Sequence, residues 1–129
     1  MKSKLIFALR IIVALILIQT LRFKFTAHPD SVYIFEQVGL EPVGRLGIGI
    51  AELISAILIL IPRTVWLGAL LTMGIIGGAI FMHLTNLGIE VRGDGGLLFM
   101  TAVVTFLLAT VLLFIYKEQI PLLGDKFKA

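Results

Sequence analysis

Long apolar runs alternate with short polar punctuation along this chain, and the runs share one length. A helix crossing roughly 30 Å of hydrocarbon needs about 20 largely apolar residues. Four runs meet that requirement, at about 5–25, 43–61, 64–84 and 97–116. Arg10 is the one early charge in the first run, and the second stops at Pro62, which cannot continue a helix. Only a turn around Pro62 and Arg63 separates the second run from the third. Short connections make successive helices antiparallel. The pattern therefore predicts an all-α fold, a four-transmembrane-helix antiparallel bundle filling residues 1–129 as one integral membrane domain.

The longest polar interval, about 26–42, has a pattern of its own. Pro29, Asp30 and Ser31 read as a helix start and Gly39 as a stop. Val32, Ile34, Phe35 and Val38 give that helix an apolar side, so a short helix is expected in this first outer loop, on the membrane or over the bundle mouth. Lys2 and Lys4 ahead of an apolar run imitate a signal peptide. Arg10 interrupts that run and no small-x-small cleavage site closes it, so it reads as a retained helix.

Composition agrees with the membrane reading. Of 129 residues, 59% are hydrophobic and 15% charged, against about 45–50% and about 25% in soluble domains. Mean hydropathy is +1.08. No cysteine is present, which excludes disulfides, Cys-ligated metal and thiol redox chemistry. The net charge of +3 comes without a basic stripe interleaved with aromatics, so no nucleic-acid partner is expected. Lysines and arginines near helix ends set orientation. Lys2, Lys4, Arg10, Arg63, Lys117, Lys126 and Lys128 share one face, and Arg22, Lys24, Arg45 and Arg92 the other. Seven against four puts both termini in the cytoplasm, with Trp66 and Tyr116 at that interface, in a multi-pass inner-membrane protein.

Helices in lipid associate through close backbone approach and polar contacts. Small residues recur at helical spacing in Gly44, Gly47, Ala51 and Ser55, in Gly74 and Gly78 beside Gly77 and Ala79, and in Thr101, Thr105 and Ala109. Packing within the chain is the simpler account of these faces. A homodimer through Gly74 and Gly78 is the sharper one.

Charged groups inside a bilayer are costly and usually mark function. Glu52 stands nine residues from either end of its run, about 13 Å deep at about 1.5 Å per residue. Gln19 and Thr101 belong to the same outer half, His83 lies at or just beneath its surface, and Arg22, Lys24, Arg45 and Asp94 ring the mouth. Gly68, Thr72, Ala79, His83 and Asn86 form one small-and-polar stripe, and Arg45, Gly49, Glu52 and Ser55 another. Two readings follow: a structural polar network around Glu52, or a pocket that binds a polar head group or relays a proton between Glu52 and His83. With His83 the one histidine in a span and His28 in the loop, bis-histidine haem ligation within one chain is excluded, and no metal site is expected. Gly93-Asp94-Gly95-Gly96 lacks the context of a phosphate loop and reads as a turn into the last helix. Met73, Met82 and Met100 read as core filler. No catalytic constellation is apparent.

Several segments, in order and spacing, match a known pattern: Phe23-Lys24-Phe25, Gly47 through Glu52-Leu53, Leu60-Ile61-Pro62-Arg63-Thr64, Gly68-Ala69, Gly78-Ala79 to His83-Leu84, and Gly93-Asp94-Gly95-Gly96. Over about residues 19–116 the chain resembles the DoxX-like family of small four-helix bacterial membrane proteins. The resemblance implies the four-span fold and suggests Lys24, Glu52 and His83 as the family's characteristic polar positions. It also implies association with membrane oxidoreductases, since some relatives are subunits of thiosulfate:quinone oxidoreductases. The expectation is an accessory oxidoreductase subunit with no cofactor of its own, holding a quinone- or lipid-like ligand in the periplasmic half through Gln19, Lys24, Glu52, His83 and Asp94. Membrane lipid, a second copy or other oxidoreductase subunits would be its partners. The alternative is a non-catalytic assembly or chaperone-like factor acting through the small-residue faces. A proton-coupled carrier fits less well, because the runs are not visibly broken.

Overall fold

The computed structural model describes residues 2–26, 28–90 and 93–120. Arg92, Lys126 and Lys128, counted above for orientation, lie outside the described residues, as do the side chains of Lys2, Phe23, Asp30 and Asn86. Each apolar run forms a helix: α1 spans Lys2–Phe25, α3 Val43–Leu60, α4 Val65–Met82 and α5 Leu97–Ile115. All four are long and apolar enough to cross a membrane. The loop helix α2 covers Pro29–Gln37, as its start and stop signals predict, with Gly39 at φ +75° just beyond. Among the described residues no strand occurs.

The third run departs from the simple pattern at its end. Regular α-helix stops at Met82, and a π-helical turn, His83–Leu87, follows. Here side chains take carbonyls of the helix: the His83 ring bonds Ala79 O at 2.8 Å and Thr85 Oγ1 donates to Phe81 O at 2.9 Å. Side-chain donors competing for backbone acceptors accompany such local widening, which hydropathy does not register.

Packing runs in sequence order, α1 on α3, α3 on α4, α4 on α5, and the α1–α5 contact that closes the bundle is the lightest. The buried stripe of α3 is Arg45, Gly49, Glu52, Ser55, Ala56 and Ile59. Gly47 lies exposed, so the Gly44–Gly47–Ala51–Ser55 row is not the packed face as a whole. Close approach depends on two glycines. A Cβ on Gly68 of α4 would stand 2.8 Å from Ser55 O and 2.7 Å from Ile59 Cγ1. One on Gly49 would stand 2.8 Å from the Phe25 ring. By contrast Gly74 and Gly78 are exposed and would meet nothing within 4 Å. Buried hydroxyls serve their own helices: Ser55 donates to Ala51 O, Thr72 to Gly68 O and Thr105 to Thr101 O, at 2.9, 2.8 and 2.7 Å. These back-bonds let small polar residues line tight interfaces without an unpaired donor.

Arg10 is buried, and it is a tertiary link. Its Nε donates to Ile59 O at 2.9 Å and its Nη2 to Leu60 O at 2.7 Å. The last carbonyls of a helix have no intrahelical partner and carry the negative end of its dipole, so a guanidinium suits them. At the same end Gln119, in a 3-10 turn after α5, donates to Pro62 O at 2.7 Å and tethers the α3–α4 turn. Side chains such as Leu15, Ile50, Leu107 and Phe114 cover the exterior. A soluble monomer rarely exposes so continuous an apolar surface. The chain is a multi-pass membrane protein.

Candidate functional site

The polar interior is built from α3 outward. Glu52, only 3% exposed, lies one turn from Gly49 on the buried stripe. The missing Cβ at Gly49 lets the end of α1 close on α3, where Lys24 Cβ would sit 3.5 Å from it. Lys24 and Thr20 are four residues apart on α1 and therefore share a face. Lys24 Nζ pairs with Glu52 Oε1 at 3.1 Å, and Thr20 Oγ1 donates to Glu52 Oε2 at 2.6 Å. The Thr20 oxygen also lies 2.8 Å from Leu17 O, but one hydroxyl proton goes preferentially to the carboxylate. Each oxygen of the buried acid thus has a partner. Around this pair, Arg45 Nε faces Glu41 at 2.9 and 3.0 Å, and Arg45 Nη1 donates to the Lys24 carbonyl. These contacts tie the end of α1 to the start of α3.

His83 occupies a separate position. It is 5% exposed, opens the π-helical turn, and lies 5.7 Å from the Phe99 ring of α5 at 59°. A carbonyl can only accept, so the contact to Ala79 O puts a proton on Nδ1, and in the neutral ring Nε2 is then an acceptor. Among the described residues Nε2 is the one buried side-chain polar atom without a hydrogen-bond partner. No ion pair or hydrogen bond joins it to Glu52. The direct relay between these two groups is absent, because α1 and α3 satisfy the acid while α4 holds the imidazole.

The remaining expected residues fall elsewhere. Gln19 is exposed, one residue and about 100° around α1 from Thr20. Thr20, one turn before Lys24, is not among the residues expected from the sequence. Asp94 caps α5: Oδ1 accepts from Gly96 N at 2.8 Å and Oδ2 from Leu98 N at 3.1 Å, with Gly96 at φ +88°. Thr101 donates to Leu97 O at 2.8 Å. Over the mouth, α2 buries Ser31 and Phe35 and packs on α1, α3 and the π-helical turn. Among the described residues no three His, Asp or Glu side chains converge as metal ligands would.

Comparison with known families returns a match to the model described as DoxX over residues 5–85. The match takes in α1 to α4, including Lys24, Glu52 and His83, and ends before the Gly93–Gly96 turn and α5. No curated protein and no solved structure matches the chain.

Proposed function

Because the chain belongs to the DoxX family, we propose that it is an accessory subunit of a membrane oxidoreductase, holding a quinone-like ligand in its reduced, hydroxyl-bearing form beside His83. The carrying observation is the bare Nε2 of His83, buried at the outer end of the bundle while Glu52, Lys24, Thr20 and Asp94 all have partners. A buried acceptor without a donor is a standing cost of about 1–3 kcal/mol, offset when a ligand donor reaches it. A quinol hydroxyl, or the hydroxyl of a lipid head group, is such a donor. Phe99 offers a ring face to stack against, and α2 is the element that moves aside for entry. Lys24, with 16% of its side chain exposed, is the cation nearest the buried acid and sets the local field. Asp94 and Gln19 leave the ligand set, the first as a helix cap and the second by facing outward. Electrons would pass to a partner's redox centre. The inner membrane, with both termini cytoplasmic, is the setting that the charge asymmetry favours.

The test uses His83→Phe in the purified full chain, titrated with a short-tailed benzoquinol kept reduced. Phenylalanine removes the orphaned acceptor and still packs on Phe99, so thermal stability should hold or rise. Affinity should fall about tenfold, the value of one well-made hydrogen bond. Unchanged affinity in a folded variant would overturn the reading.

A second reading, an assembly factor or a homodimer, is favoured by the open Gly74/Gly78 face of α4. Glycines at four-residue spacing with nothing against them suit close approach of another helix.

A further inference from the structure

The bundle's weakest seam lies at the opposite end from His83. Near the start of α1 and the end of α5 the two helices leave a crevice of about 450 Å³ lined by Leu5, Ile6, Leu9, Phe114, Ile115 and Lys117. Five of these six side chains are apolar, and Leu5 and Phe114 are widely exposed. Lys117 closes the crevice where the span ends, its ammonium 4.1 Å from the centre of the Phe114 ring. Glu118 follows it in the chain, exposed, and Lys4 stands exposed beside Leu5. Arg10, also in the first half of α1, is committed to the end of α3 and does not serve the crevice.

From this geometry we propose that the α1–α5 crevice is a site for one anionic phospholipid. An acyl chain lies between Leu5, Leu9 and Phe114, and the phosphate meets Lys117. The apolar walls suit a chain and exclude a free anion from all but the rim. The charge suits a head group at interface depth, as in basic pockets between membrane helices elsewhere. Lys117 over an aromatic face holds its ammonium near the phosphate level instead of trailing into water. The site has no residue in common with the polar interior around Glu52 and His83, so either can fail alone.

The full chain, purified in a mild detergent, is offered an equimolar mixture of phosphatidylglycerol and phosphatidylcholine with identical acyl chains. Bound lipid is read by native mass spectrometry. Phosphatidylglycerol should be retained about fivefold over phosphatidylcholine, the preference one basic residue supplies near a membrane surface. Lys117→Gln should abolish the preference and Lys117→Arg should keep it. Ile115→Trp, which fills the crevice without touching the charge, should lower retention of both lipids. A preference that survives Lys117→Gln overturns the proposal. So does competition by glycerol phosphate at lipid-like concentrations, which would make this a simple anion site. A crosslink showing a second copy or another helix seated in the crevice overturns it as well.

Discussion

The Glu52 carboxylate has one partner on each oxygen, both from α1, and this arrangement decides how substitutions there will behave. Removing one member of a buried ion pair costs about 3–5 kcal/mol, because the other is left charged and unpaired. Lys24→Met should therefore destabilise the bundle by that amount, read as the midpoint of unfolding in detergent. Lys24→Met combined with Glu52→Gln should recover most of the loss, since neither position then carries a charge. A double variant no more stable than the single would show that Lys24 acts on something other than Glu52. Thr20→Val should cost about 1 kcal/mol or less, the usual value of a hydrogen bond between membrane helices. Glu52 was legible from its depth alone, whereas among Arg22, Lys24 and Arg45 at the mouth only the family resemblance singled out Lys24, and the approach of α1 to α3 makes it the partner. The choice between Gln19 and Thr20 was not legible. Depth counting places both at one level, and only the rotation of α1 on α3 decides which one faces inward.

At the scale of elements, the glycines separate into those that carry packing and those that do not. Gly68→Ala forces a Cβ against the backbone of α3 and should lower stability by about 1–3 kcal/mol. Gly74→Ala meets open space and should leave the midpoint unchanged or slightly higher. Gly74→Leu with Gly78→Leu tests partner docking: the folded chain should persist while any crosslinked homodimer disappears. Equal effects of Gly68→Ala and Gly74→Ala on stability would contradict the packing described. Helix positions were readable because a bilayer fixes how long an apolar run must be, and the observed ends fall close to the expected ones. Which row of small residues faces inward was readable only where polar residues mark it: the stripes through Arg45, Gly49, Glu52 and Ser55 and through Gly68 and Thr72 are buried, and the rows through Gly47 and Gly74 are not. Both rows have the same spacing, and the difference lies in which neighbour approaches. The π-helical turn escaped as well, because it follows from which donors reach Ala79 O and Phe81 O.

For the whole molecule, the absence of cysteine makes orientation easy to measure, since each introduced thiol is unique. Ser3 and Glu36 are both exposed, one near the start of α1 and the other on α2. Glu36→Cys should react with a membrane-impermeant maleimide in intact cells whose outer membrane has been permeabilised. Ser3→Cys should react only after the inner membrane is opened. The reverse labelling would invert the topology favoured by the basic residues. The contact of Arg10 with Ile59 O and Leu60 O also bears on how the chain is made. The ribosome delivers Arg10 about fifty residues before the carbonyls that receive it. Until α3 arrives, α1 carries a cation that its own backbone cannot satisfy, at the level where α3 will end. The first helix thus reaches its final set of contacts only once the third stands beside it, a dependence that spans the first half of the polypeptide.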